Sequence, residues 1–339
     1  MTLWVVKGGK TGERELRMLE QSVVGIGWEE VPDLMTLSSR EQVTDAVREG
    51  YPDAKEATVY NYVGQLWAFS RTMQPGDFVV VPLKTRGAIT FGEITSSYEY
   101  RSDLGPDMLH TRRVKWLRTD IPRTAFDSDL LYTFGSAMTV CRAVRNNAEA
   151  RTKALALNEP RVATRKPADI GTEPDEAPLD IEQAAKDEVL QFLSSKFRGH
   201  DLARLIDAIL QGQGMTTKMS PPGPDGGVDI LAGSGPLGFE PPRICIQVKS
   251  SDSPVDVTVF RSLVGSMQAV SAEYGLLACW GGFKKTVYQE AQNAHFKVRL
   301  WDATDILSGI FEYYDKLPAT LRTDLPLKRI WALALEERQ

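Results

Sequence analysis

The chain has 339 residues, 42% apolar and 25% charged, which is enough for two sizeable cores and too long for one ordinary domain. No run approaches the ~20 consecutive apolar residues of a membrane helix, and the opening MTLWVVKGGK puts apolar side chains ahead of charges, the reverse of a secretory signal. Three scattered cysteines (Cys141, Cys245, Cys279) make neither a disulfide framework nor a zinc site, so a cytoplasmic protein without a membrane partner is expected.

From Thr2 to about Ala150 the runs WVVKGG, SVVGIGW, DFVVVPL, AITFGEI and RRVKWL read as strands. GERELRMLEQ and ATVYNYVGQLWAFSRTM carry helical rhythm, and Pro75–Asp77 is a turn ahead of a strand at Phe78–Val81. Several strands around one or two helices predict a small, strongly curved α+β barrel over residues 1–150. Residues 151–179 are expected to be a linker, because EPRVATRKPADIGTEPDEAP has almost no bulky apolar side chains to offset its ordering entropy.

A second domain is expected over residues 180–325. Asp180 caps a first helix, Gly199 interrupts it, and HDLARLIDAILQGQG forms a second with Leu202, Leu205, Ile206, Ile209 and Leu210 on one face. The strands VDILAG and RICIQVKS follow, then a helix at Val257–Ser271, the strand GLLACW, the helix FKKTVYQEAQNA, the strand VRLWD and the helix ATDILSGIFEYYDKL. That order describes a mixed sheet flanked by helices, so the chain as a whole is of the α/β class.

The chemistry sits in GPDGGVDI and ICIQVKS. Asp229 lies between Val228 and Ile230 and should point away from their buried face, while Gln247 and Lys249, two apart, share a face opposite Ile246 and Val248. If the strands pair, a carboxylate, a carboxamide and an amine converge, and Gly226 and Gly227 let a phosphate backbone come close. Asp225 is expected to serve the turn. Mg²⁺ wants a few oxygen ligands and keeps its waters, which Asp229, the Gln247 carbonyl and the Val248 main-chain carbonyl can satisfy. Mn²⁺ should substitute. Lys249 is then placed to orient or deprotonate a water and to stabilise the phosphorane.

GPDGGVDI…QVKS, the helix–loop before it and the later GLLACWGGFKKTVYQEA…VRLWD resemble the Mrr-like branch of the PD-(D/E)XK nucleases. The likeness runs roughly from His200 to Tyr314, with Gln247-Val248-Lys249 as the QxK of that branch. It implies Mg²⁺-dependent hydrolysis of DNA phosphodiesters. One departure stands out: where relatives carry a Phe-Glu pair on the first helix, this chain has Leu202 and Ala203, with Asp201 or His200 as substitutes. Lys284 and Lys285 open a helix whose N-terminus can hold a DNA phosphate.

The first domain has no catalytic set, and His110 is its sole histidine. Its aromatics stand near glycine-rich turns, and WVVKGG…GIGW…QLWAF…GDFVVVPL…GEI…RRVKW resembles the EVE-like members of the PUA superfamily. The resemblance implies a pocket for a flipped, modified base, for which Trp28 and Trp67 lead and Tyr62 and Trp116 follow. Lys84, Arg86 and the stretch Arg112–Arg118, with Arg112 and Arg113 foremost, would grip phosphates. The net charge of −5 speaks against a broadly basic surface and leaves such local patches to do the docking. Together the halves suggest a modification-dependent, type IV-like restriction endonuclease on double-stranded DNA, with a homodimer able to cut both strands. A repair or recombination nuclease reading DNA structure, an RNA-binding first domain and a catalytically silent binding module remain open.

Overall fold

Apolar runs that alternate sides give strands buried on both faces only where two layers cover them. In the computed structural model, which describes residues 1–158, 180–221 and 227–331, this happens twice, in units spanning Met1–Ala184 and Ala185–Ala332.

The first unit contains β1 (Leu3–Val6), α1 (Glu15–Gln21), β2 (Val23–Ile26), α2 (Arg40–Gly50) and α3 (Glu56–Trp67). It continues with β3 (Phe78–Pro82), β4 (Ala88–Ile94), β5 (Glu99–Tyr100), β6 (His110–Pro122), α4 (Ser128–Phe134), β7 (Val140–Arg142) and α5 (Ala148–Ala156). Its seven-stranded sheet runs β2-β6-β4-β3-β1-β7, with β5 also on β6. β1 and β3 pair in parallel, and their side chains alternate between two cores. Trp4, Val6, Val79 and Val81 enter one; Leu3, Val5, Phe78 and Val80 enter the other. The long β6 pairs β2 and β5 with its first half and β4 with its second, across register shifts near Phe91. Such bulges bend a strand, which gives the expected curvature.

α2 has no counterpart in the sequence reading, although Ser39 caps it by accepting from the Gln42 N–H and Val43 and Val47 are buried. Its propensity is ordinary, and the SSREQ start signal is masked by the polar run around it. α5 corrects the expected linker. Residues 151–156 are helical, Arg151 bonds Asp127 and Asp129, and Ala154 and Ala156 are buried. The unit therefore continues past residue 150, and most of the expected linker lies outside the described residues.

The second unit is built from α6 (Ile181–Lys196), α7 (His200–Gly212), β8 (Thr216–Met219), β9 (Ile230–Ser234), β10 (Glu240–Lys249) and α8 (Val257–Ala269). β11 (Tyr274–Cys279), α9 (Lys285–Asn293), β12 (Val298–Trp301), α10 (Ala303–Tyr313) and α11 (Ala319–Asp324) complete it. Asp180 accepts from the Gln183 N–H as a cap should, and Gly199 has a positive φ of 56° at the break between α6 and α7. The sheet order is β12-β11-β10-β9-β8. β10, β11 and β12 are parallel and β8 and β9 antiparallel, so the sheet is mixed as expected. β8 went unread because TTKM carries no apolar alternation. One face packs on α7 and α10 through Ile246, Val248, Leu276 and Ala278. The other packs on α8 and α9 through Cys245, Leu277 and Cys279. Among the described residues no helix is long and apolar enough to cross a membrane.

Candidate functional site

β10 ends at Lys249, and its last three residues carry the acid-independent half of the motif. Gln247 and Lys249 pair with Leu277 and Cys279 of β11, on the face that α8 and α9 cover. The Trp280 N–H donates to the Lys249 carbonyl at 2.8 Å, so the strand stays fixed to its end. Lys249 is half-buried and Gln247 almost fully so, at 4% exposure.

Asp229 arrives by a different route from the one alternation predicts. Ile230 pairs with Ile246, and the Asp229 N–H also donates to the Ile246 carbonyl, at 3.0 Å. Two residues thus face one, as in a bulge. The extra residue reverses the alternation, so Val228 packs with Cys245 and Leu277 rather than on the face of Ile230. That corrects the expectation that Val228 and Ile230 share a buried side. The Asp229 carboxylate accepts from the Val248 N–H through Oδ2 at 2.7 Å, taking the place of a ladder bond between Gln247 and Lys249. Its charge also reaches the neighbouring thiol: burial, with help from Asp229, pushes Cys245 up to about 11.

The Gln247 carbonyl oxygen Oε1 is buried without a hydrogen-bond partner among the described residues. An orphaned buried carbonyl costs roughly 1–3 kcal/mol, and such an atom in a native fold calls for an explanation. Next to it Gly227 has φ 84°, and a Cβ there would stand 3.0 Å from Gln247 Nε2. Only glycine fits that turn so close to the carboxamide. A hard cation fits this donor set of one carboxylate and one free amide oxygen, with the Val248 carbonyl as the third expected ligand. Among the described residues no three His, Cys, Asp or Glu side chains gather, so Asp229 would be the anionic ligand.

In the first unit the aromatics divide. Trp28 and Tyr62 meet edge to face, 5.4 Å between centroids, and Tyr51, which the sequence reading missed, meets Tyr62 at 5.7 Å. All three are half-buried against the core. Trp28 has φ 67°, a left-handed conformation that a bulky residue rarely adopts. Its carbonyl accepts from the Val31 N–H and meets His110 Nε2 at 3.3 Å, which holds the turn. Under the preceding Gly27 lies Arg14, whose Nη1 would be 2.9 Å from a Cβ at that position. Trp67 packs on the same core. Trp116 does not join Trp28. It lies six residues along β6 from His110, about 20 Å of extended chain, and donates its indole N–H to the Met18 carbonyl.

The basic stretch fares unevenly. Arg112 is 2% exposed; it donates to the carbonyls of Phe69, Ser70 and Ser96 and stands over the Phe69 ring. Burial brings its pKa down to about 10. Arg112 is a core strut and cannot hold a phosphate, a correction that alternation along β6 makes intelligible. Arg113, the next residue, is exposed and pairs with Glu99 at 2.9 Å.

His110 is buried, with Nδ1 2.7 Å from the Tyr98 hydroxyl. Burial drives its pKa from 6.5 down to about 4. The fold holds the neutral ring, so this stability is whole above pH 6.5 and drains as the pH falls toward 4. The loss should approach ~3 kcal/mol in the first unit. Urea midpoints taken across that window should fall more steeply with falling pH for the parent chain than for His110→Asn; parallel slopes would refute the assignment.

The comparisons bear on both units. Residues 194–310 match the family model described as Mrr_cat, restriction endonuclease. Over that span the chain is similar to restriction endonuclease domains. Residues 4–140 match a domain of unknown function, DUF8426. No curated protein matches the chain. Two solved structures show a partial likeness. "DNA modification-dependent restriction endonuclease AspBHI" is 14% identical, covering 85% of this chain and 72% of that one, with a TM-score of 0.33. "MspJI Restriction Endonuclease in Complex with 27-mer Oligonucleotide" is 15% identical, with coverage of 95% and 71% and a TM-score of 0.33.

Within the matched segment, Leu202 and Ala203 are buried in the core under α7 and offer no oxygen to a metal. The start of α7 is nevertheless tied to the end of β10, because the Gly199 N–H donates to Ser250 Oγ at 2.9 Å. Asp201, in that first turn, is exposed and paired with Arg204 at 3.0 Å; His200 is exposed beside it. Lys284 and Lys285 are exposed at the start of α9, where the Lys284 N–H is already donated to the Val255 carbonyl.

Proposed function

We propose that the chain is a Mg²⁺-dependent endonuclease that cuts double-stranded DNA carrying a modified base. The restriction endonuclease domain would hydrolyse the phosphodiester and the first unit would hold the base, in the cytoplasm and with a second copy to cut the second strand. The observation that carries the catalytic half is Gln247 Oε1, a buried oxygen without a partner among the described residues, one residue along the strand from the Val248 N–H that fixes the Asp229 carboxylate. Asp229 and that oxygen, with the Val248 carbonyl, would hold the ion. Such an ion supplies charge screening at the phosphate and acidity to a water. Asp229 cannot swing away without breaking its bond to the strand. Lys249, one residue past Val248, would orient the attacking water, take its proton, or meet the charge that grows on the phosphate.

The reading of a modified base rests on Trp28. A left-handed tryptophan is strained by roughly 1–3 kcal/mol, and such strain concentrates at binding sites. At this turn the indole and the Tyr62 ring meet edge to face. Extruding a base costs a few kcal/mol and stacking returns ~1–3 kcal/mol, so a substituent that fits the pocket tips the balance.

Plasmids from methylating, hydroxymethylating and modification-free hosts, incubated with the protein and Mg²⁺, test the proposal. One modified class should be cut and the unmodified plasmid spared. Trp28→Ala should bring their cleavage rates to within a few-fold of each other. Equal cutting of all plasmids by the parent chain would replace the proposal with a general nuclease.

A further inference from the structure

At the opposite end of the second sheet from Lys249 there is a groove of about 300 Å³, roofed by no other element. It opens where β11 and β12 begin, at Tyr274 and Val298, beside Ile244 of β10, and the C-terminal turn of α7 closes one side through Leu210 and Gln213. From Ile244 to Lys249 is about 17 Å of strand. One nucleotide cannot touch both places.

Three aromatic rings line the groove. Phe296 is 85% exposed, Tyr274 is 41% exposed, and Trp301 is half-buried against the core. Phe296 meets the His295 ring edge to face and leaves most of its surface open at the groove. Lys297 and Arg299 stand at the same rim, both exposed. Neither has a carboxylate partner among the described residues, whereas Arg243, at the same end of the sheet, is neutralised by Glu273 at 3.1 Å. The Arg299 guanidinium donates only to the His295 carbonyl. Elsewhere arginines of this acidic chain are commonly paired, as Arg204 and Arg261 are. The rim thus carries two exposed cations next to the aromatic rings, and their sign calls for an anionic occupant.

We infer that this groove is a second nucleic-acid contact, which takes an unpaired stretch of DNA by stacking bases on Phe296 and Tyr274 while Lys297 and Arg299 hold the flanking phosphates. Duplex DNA hides its base faces, so aromatic rings gain little from it; an unpaired strand offers both base faces and phosphates at once. The volume suits a base-sized insert, and Leu210, Ile244 and Leu276 give it an apolar floor. The site would engage a frayed or displaced strand while the duplex is held at the catalytic end of the sheet. A neutral apolar partner would leave the two cations unanswered, and a second copy of this acidic chain is the competing occupant.

The test uses the full chain in EDTA, so that no cleavage occurs, and the anisotropy of a short labelled oligothymidylate. The parent should bind it, and the Lys297→Glu/Arg299→Glu variant should bind at least tenfold more weakly. The two lost contacts should flatten the salt slope by about 1.4. Phe296→Ala, at a position too exposed to matter for folding, should weaken binding roughly tenfold while leaving the slope intact. Blunt duplex should bind all forms alike. Failure of the parent to bind the oligomer, or affinities unchanged in the variants, would overturn the inference. So would sedimentation showing that Phe296→Ala abolishes a parent dimer that the oligomer does not disrupt, because the groove would then belong to a second copy. None of these readouts depends on Trp28 or on cleavage.

Discussion

Lys249→Ala should slow cleavage of a susceptible plasmid by roughly 10²–10⁴-fold, the range for loss of one positioned acid–base group, while DNA affinity holds. The strand that carries Lys249 does not depend on the side chain. Its carbonyl is held by the Trp280 N–H and its register by Cys279, so truncation removes an ammonium group and leaves the backbone where it was. Single-turnover cleavage and filter binding, run side by side in saturating Mg²⁺, separate the two effects. If cleavage falls less than a few-fold, Lys249 has no part in the chemistry. If affinity falls with the rate, Lys249 is a phosphate contact and the water must be handled by another group.

Gln247→Met should have effects of opposite sign on stability and on activity. Methionine matches the length of glutamine and has no polar oxygen to strand. Removing a buried carbonyl that has no partner among the described residues relieves a desolvation cost of about 1–3 kcal/mol, so the metal-free variant should melt a few degrees higher than the parent. Cleavage should fall by two orders of magnitude or more, because one of the few oxygens offered to the cation has gone. Added Mg²⁺ should raise the melting temperature of the parent and leave that of Gln247→Met unchanged. A variant that melts lower than the parent in EDTA would show that the carbonyl is satisfied within the fold, and its role as a ligand would fall with it. This pattern is the familiar conflict between a strained site and a stable one.

Much of this was legible along the chain. The mixed sheet of the second unit, its parallel half and its flanking helices follow from runs whose period switches between two and 3.6, since burial of one face imposes that period wherever the element forms. Gln247 and Lys249 were readable for the same reason: two residues of one strand must share a side. Other features needed the fold. Asp229 and Ile230 both meet Ile246, and that extra residue reverses alternation without leaving a mark in the local sequence. Arg112 and Arg113 look alike as a basic pair; one is buried beneath Phe69 and Ser70 and the other is on the surface. The fate of each depends on what another segment, about forty residues away, does with its carbonyls.

The two candidate sites differ in the same way. The acid, amide and amine of the second unit sit within 21 positions of one another along the chain, so a short-range pattern could announce them. The left-handed turn at Trp28 is held by His110, and the groove at Phe296 is assembled from α7, β10, β11 and β12. Pattern and propensity act over a few residues, whereas strain, desolvation and the meeting of unmatched charges are properties of surfaces that form only when distant segments close on each other.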